Sequence, residues 1–200
     1  MNRLMIFDLD GVLLETRQMH YETLNNALAY YGYSPISFTE HTARFNGRST
    51  HTKLDMLGIV GAEAEEIKRE KQRRTLAWVM NNVHRDESLV TLFTDLRAHG
   101  WQVAVASNAI TVTVVRTLQL LGLWKLCNFI VAGDQITFPK PDPAIYRHCM
   151  EACGADPSTT WIVEDSPLGR EGALRSGAHV VAVDNPTQVD VAVRRVMENA

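Results

Sequence analysis

With 200 residues, of which 46% are hydrophobic and 22% charged, the chain is long enough to bury its own core and too ordinary in composition for a disordered, collagenous or repeat-only protein. Lys and Arg number 20 against 23 Asp and Glu, a net charge of −3, so there is no basic footprint for nucleic acid. No segment approaches the roughly 20 apolar residues of a membrane span, and the opening MNRLMIFDLDG has too few apolar residues for a signal-peptide core. Cys127, Cys149 and Cys153 cannot all pair within one chain and show no C-x-x-C spacing, which fits a reducing compartment. The expectation is a soluble cytoplasmic monomer.

The first element is an apolar run, Leu4–Phe7, that stops at Asp8. Its lack of alternation suits a strand covered on both faces. A helical stretch follows from Thr16 to Tyr31, then a loop with Gly32, Ser34, Pro35 and Ser37, then two more helix-like segments. The second of these, Glu63 to Met80, carries Glu63, Glu66, Lys68, Lys71 and Arg73 among other charges, and reads as a solvated face. Leu89, Leu92, Phe93 and Leu96 mark a helix over 87–99 that closes at Gly100. The run Val103–Ala106 ends at Ser107; a helix over Thr111–Leu121 ends at Gly122; the run Phe129–Ala132 ends at Gly133. Pro141 to Cys153 reads as a helix with prolines near its start and Gly154 at its end. Trp161–Val163 stops at Glu164, Leu168–Ser176 is helical, Val180–Val183 stops at the turn residue Asp184, and Val189–Met197 closes the chain as a helix. Trp78, Trp101, Trp124 and Trp161 are assigned to the core, as are Cys149 and Cys153.

Strand and helix alternate from about residue 100 onward, which implies right-handed crossovers in an open, doubly wound parallel α/β sheet. Residues 1–15 and 85–200 form this core, and 16–84 are a helical insertion after the first strand. Ligands of such sheets bind beyond the carboxyl ends of the strands. The candidates are therefore the residues that stop the runs, namely Asp8 with Asp10, Ser107 with Asn108, and Glu164 with Asp165, together with Lys140 in the loop after the third run.

Asp8 and Asp10 leave a strand two residues apart, and Gly11 lets the backbone turn past them. One carboxylate can attack a phosphoryl group while the other handles a proton. Four carboxylates would repel an anionic substrate, so the set calls for a hard divalent cation with oxygen ligands, and Mg²⁺ suits. Lys140 adds a fixed positive charge, and Ser107 can hydrogen-bond phosphoryl oxygens. Bland readings stand beside these: Ser107-Asn108 and Glu164-Asp165 also make good helix caps.

FDLDGVLLET, VAVASN, PKPDPAIY and WIVEDSPLGREGALRSGAHVVAV resemble, in order, the four motifs of the haloacid dehalogenase superfamily, in the subgroup similar to β-phosphoglucomutase and phosphoglycolate phosphatase. The resemblance implies a doubly wound core with a helical cap at 16–84. It implies Asp8 as nucleophile, Asp10 as general acid/base, Ser107 as phosphoryl ligand and Lys140 as the group that steadies both. It also implies Mg²⁺ held by Asp8, the backbone carbonyl of Asp10 and Asp165, with Glu164 acting through water. Two departures stand out: Pro139, where the family has glycine, precedes Lys140, and NNVHRDESL replaces a Pro-Gly turn ahead of the helix at 87–99.

In the insertion, Thr16 and His20 share one helix face, which in similar proteins looks toward the substrate. Arg48, in the loop Gly47-Arg48-Ser49-Thr50, can fork onto a carboxylate or second phosphate. His41, His51, His84, His99, His148 and His179 form no metal-ligand spacing. The function expected is a Mg²⁺-dependent phosphatase of a small phosphorylated metabolite, with a phosphomutase as the alternative. A dehalogenase would leave Asp10 without a task, because departing halide needs no proton. Phosphonate cleavage in similar proteins uses a cap lysine as a Schiff base; those relatives lack the second acid, and Lys53 is read as a surface residue. A non-enzymatic phospho-acceptor of receiver type ranks last, since receivers carry the acceptor on the third strand.

Overall fold

The computed structural model describes residues 2–200. Strand β1 (Arg3–Phe7) is followed by α1 (Arg17–Tyr30), α2 (Phe38–Glu40), α3 (Thr50–Met56) and α4 (Gly61–Asn82). Then come α5 (Glu87–Ala98), β2 (Trp101–Ser107), α6 (Thr111–Leu121), β3 (Phe129–Ala132), α7 (Ala144–Cys153), β4 (Thr160–Glu164), α8 (Pro167–Ser176), β5 (His179–Ala182) and α9 (Val189–Asn199). The strands form one parallel sheet in the order β3-β2-β1-β4-β5. This is the expected doubly wound α/β architecture with helices interposed after the first strand.

Strand β1 lies in the middle, in register with β2 from Arg3↔Trp101 to Phe7↔Val105 and with β4 from Leu4↔Thr160 to Phe7↔Val163. Its side chains alternate between two buried faces. Met5 and Phe7 pack into one core with Leu92, Phe93 and Leu118. Leu4 and Ile6 pack into another with Ile145, Tyr146 and Ile162. Burial on both faces is why the run shows no polar alternation.

Helix α7 begins at Ala144 instead of Pro141. A proline disfavours helical geometry in the residue before it, so Asp142 ahead of Pro143 delays the start. Gly122 and Gly154 end α6 and α7 as expected. Trp101 is buried and Trp78 and Trp161 are partly so, but Trp124 is 40% exposed and leaves the core assignment.

The insert has its own core of Leu24, Leu28, Ile36, Phe45, Leu54 and Ile67. Helix α4 carries pairs such as Glu66–Arg69 and Glu70–Arg73 on its outer side, as the charge pattern predicts. Lys71 is the correction: it falls on the inward line Ala64, Ile67, Lys71, Thr75, Val79 and is buried. The sequence reading also lacked the π-helical turn His41–Phe45 after α2, whose His41 and Phe45 face inward.

His41 is 1% exposed, and neither ring nitrogen has a hydrogen-bond partner among the described residues. Burial first, then the charges of Lys53, His20 and Lys71, push its pKa from 6.5 down to about 4. Folding therefore favours neutral His41, so this contribution is present above pH 6.5 and lost as pH falls toward 4. Over that window a His41→Phe variant should lose less stability than wild type in denaturant titrations; parallel losses would contradict the assignment. In the sheet core, Phe93 stacks on Phe7 with ring centroids 4.7 Å apart. Phe93→Ala should cost about 3–5 kcal/mol by the same measurement.

Candidate active site

The parallel ladder continues one residue past β1, where the Asp8 amide donates to the Val163 carbonyl at 3.0 Å. Because β2, β1 and β4 are neighbours, Ser107, Asp8 and Glu164 finish side by side on one rim. Lys140 reaches them from the loop after β3. Its Nζ donates to Asp8 Oδ1 at 2.6 Å, to Glu164 Oε1 at 2.6 Å and to the Ala106 carbonyl at 2.9 Å. The Tyr146 hydroxyl donates to the same Glu164 Oε1, and the Ser166 hydroxyl lies 3.3 Å from Oε2. Glu164 is fully buried, and these donors are what make its charge tolerable there.

Two glycines create the room. At Gly11, with φ of +83°, a β-carbon would sit 2.2 Å from Asp165 Oδ2; at Gly169 it would sit 2.1 Å from the Glu164 carboxyl. Neither position accepts a side chain without moving a carboxylate.

The electrostatics are unbalanced. Burial raises the Asp8 carboxyl, Lys140 opposes that, and Glu164 and Asp10 push it further up. Lys140 is raised well above the usual lysine value, because Asp8 and Glu164 outweigh the burial that would lower it. Asp165 is pushed up to about 7 by burial, Glu164 and Asp10. Oxygens of Asp8, Glu164 and Asp165 lie within 4.8 Å of one another, and the Lys140 ammonium is bonded to two of these carboxylates, Asp8 and Glu164. A close cluster of carboxylates with a surplus of negative charge fits a hard divalent cation, so the donor set agrees with Mg²⁺.

Asp10 turns the other way. Its Oδ1 lies 3.0 Å from His20 Nε2, and His20 Nδ1 lies 3.2 Å from Lys71 Nζ. An ammonium can only donate, so Nδ1 accepts and the His20 proton sits on Nε2, pointing at Asp10. Burial, then the charge of Lys71, lower the His20 pKa against the pull of Asp10. For Asp10, burial alone would raise the pKa, but His20, Thr16 and Lys71 together hold it below the usual carboxylate range. Asp10 thus rests ionised.

Asp8, Asp10, Thr16, His20, Arg48, Asn108, Lys140, Glu164 and Asp165 line one cavity of about 310 Å³ between the rim and the insert. Ser107 is fully buried, does not line it, and accepts a hydrogen bond from the Ala109 amide at 3.0 Å. Asn108 accepts from the Lys140 amide at 3.1 Å and reaches the Gly47 carbonyl of the insert at 3.4 Å. Neither caps α6, whose N-cap is Ile110. Arg48 Nε donates to the Arg44 carbonyl at 2.9 Å. Lys53 is not on the surface: it is 4% exposed in the cavity wall. Lys71 and Tyr146 were not singled out from the sequence. Each sits on an apolar helical line, Lys71 four residues after Ile67 and Tyr146 beside Ile145, and that placement was the available signal.

A doubly wound sheet, a rim of carboxylates bridged by a lysine, and a helical insert after the first strand form an α/β site suited to phosphoryl chemistry. A family model described as haloacid dehalogenase-like hydrolase matches residues 5–183. The chain belongs to that family. It is 28% identical over 180 residues to a phosphoglycolate phosphatase of Cereibacter sphaeroides, covering 86% of this chain and 80% of the relative. It is 29% identical over 183 residues to a phosphorylated carbohydrates phosphatase of Thermotoga maritima, covering 86% and 80%. Its fold is that of a β-phosphoglucomutase from Clostridium difficile, with a TM-score of 0.84 at 20% identity over 100% of this chain and 98% of the other.

Gly169→Ala should lower stability by about 1–3 kcal/mol through overpacking against Glu164. Thermal unfolding reads this, and an unchanged midpoint would contradict the close approach.

Proposed function

We propose that this chain is a Mg²⁺-dependent phosphatase that hydrolyses a small phosphorylated metabolite through an aspartyl-phosphate on Asp8, with residues 16–84 acting as a cap over the substrate. The observation that carries this reading is the Lys140 ammonium held 2.6 Å from both Asp8 Oδ1 and Glu164 Oε1. Lys140 occupies one oxygen of Asp8 and leaves Oδ2 to attack. The names of the curated relatives, phosphatases of phosphoglycolate and of phosphorylated carbohydrates, support a phosphoric monoester as substrate.

Asp8 and Asp165 would hold the Mg²⁺ with the backbone carbonyl of Asp10, while Glu164, already bonded to Lys140 and Tyr146, stands behind them. When bound, the ion neutralises the carboxylates and the phosphoryl oxygens. Asp8 Oδ2 attacks phosphorus as the ester P–O bond breaks, and the leaving oxygen takes a proton from Asp10. Asp10 takes up that proton from solvent once the anionic ester lies beside it, since a neighbouring negative charge raises a carboxyl pKa. In the second half, Asp10 takes a proton from water, the water oxygen attacks phosphorus, and the Asp8–phosphoryl bond breaks to release inorganic phosphate. His20 holds Asp10 toward the cavity throughout. If the sugar hydroxyl instead of water takes the phosphoryl group, the same site is a phosphomutase, and product analysis on β-glucose 1-phosphate separates the two.

Phosphate release from sugar phosphates, phosphoglycolate, nucleotides and pyridoxal phosphate tests the proposal. Release should require Mg²⁺, vanish with EDTA, and fall by at least about a thousandfold in Asp8→Asn. Equal rates in the mutant, or with EDTA, would overturn it.

A further inference from the structure

Two lysines of the insert line the cavity wall, and one of them, Lys53, has no part in the chemistry at Asp8 and Asp10. Lys53 on α3 is 4% exposed and Lys71 on α4 is 6% exposed, and both line the cavity wall. Lys71 is bonded to His20. The Lys53 ammonium has no hydrogen bond and no carboxylate partner among the described residues. Its surroundings are cationic: burial and then Lys71 press its pKa down to about 7, with only Asp10 acting the other way. The unpartnered His41 ring is subject to the same field of Lys53, His20 and Lys71.

A buried ammonium without a partner is costly, and replacing it with an apolar side chain of similar size is neutral or stabilising as a rule. A fold retains such a group where a ligand completes it. The transferred phosphoryl group is held on the core side, by Asp8 and Lys140 at the ends of the strands. Lys53 belongs to the insert, bonds none of those residues, and bears through its charge on Asp10 and His20, so it faces the leaving-group side of whatever fills the cavity.

We propose that Lys53 is a specificity-determining residue that binds a second anionic group, a carboxylate or phosphate, at the end of the substrate remote from the phosphoryl group under attack. The enzyme then favours doubly anionic esters over esters whose far end is neutral. This role goes to Lys53 and not to the more exposed Arg48, whose Nε is taken by the Arg44 carbonyl. The inference rests on the phosphatase reading for the placement of the first phosphoryl group.

Two matched pairs of esters test it: 2-phosphoglycolate against ethylene glycol monophosphate, and fructose 1,6-bisphosphate against fructose 1-phosphate. Wild type should prefer the doubly anionic member of at least one pair by about tenfold or more in kcat/KM. Lys53→Met should erase that preference through KM, Lys53→Arg should keep most of it, and the Lys53→Met melting temperature should equal or exceed that of wild type. No preference in wild type, or an equal loss on both members of each pair in Lys53→Met, would overturn the proposal. Titration of the same four esters into Asp8→Asn, with and without Lys53→Met, reads recognition without turnover. Failure to hydrolyse any ester while this Lys53-dependent binding persists defeats the phosphatase reading alone; hydrolysis without Lys53 dependence defeats this inference alone.

Discussion

The ammonium of Lys140 is the interaction on which the rim depends. It arrives from a loop, is almost wholly buried, and joins carboxylates from the ends of two neighbouring strands. Without it, Asp8 and Glu164 would be adjacent buried anions, each costly to desolvate and mutually repelling. With it, Asp8 keeps one oxygen fixed and one free. The supports of Lys140 extend outward: Asn108 accepts from its backbone amide, Tyr146 shares Glu164 with it and places a ring 5.0 Å from its charge, and Gly169 leaves space for the Glu164 carboxyl.

The two walls of the cavity carry opposite charge. The sheet rim supplies Asp8, Glu164 and Asp165, and the insert supplies Lys53 and Lys71. Asp10 is the junction, because it leaves the core strand yet is hydrogen-bonded to the insert through His20. Placement of the insert therefore bears directly on the protonation and aim of the one residue assigned to proton transfer. An anionic ester with a cation at the rim satisfies both walls at once, which neither wall achieves on the other.

Much of this was legible in the sequence because the sheet is central and parallel. Continuous apolar runs such as Leu4–Phe7 reported burial on both faces, and the polar residue ending each run marked the rim. Asp8, Glu164 and Lys140 meet where the motifs placed them. The insert was harder to read, since its contacts depend on helix packing that no strand order fixes. A charge-rich helix hides one inward lysine among many outward ones, so Lys71 passed as surface although its spacing from Ile67 and Thr75 put it on the buried line. Lys53 was misread for the same reason: an ordinary lysine is exposed, and only the tertiary structure reveals a wall that holds one without a partner. Ser107 shows the opposite limit, being in the expected place with its hydroxyl turned to the Ala109 amide.

The central claim, that Asp8 carries the phosphoryl group and Asp10 moves the protons, is tested most directly in Asp10→Asn with p-nitrophenyl phosphate and Mg²⁺. The p-nitrophenolate leaving group departs without a proton, so the first half-reaction needs no acid, whereas the second still needs a base. Acid quench followed by mass spectrometry should find a burst of about one p-nitrophenolate per chain and a phosphoryl group on the peptide that contains Asp8. Steady release with no burst and no phosphorylated Asp8 would contradict the mechanism.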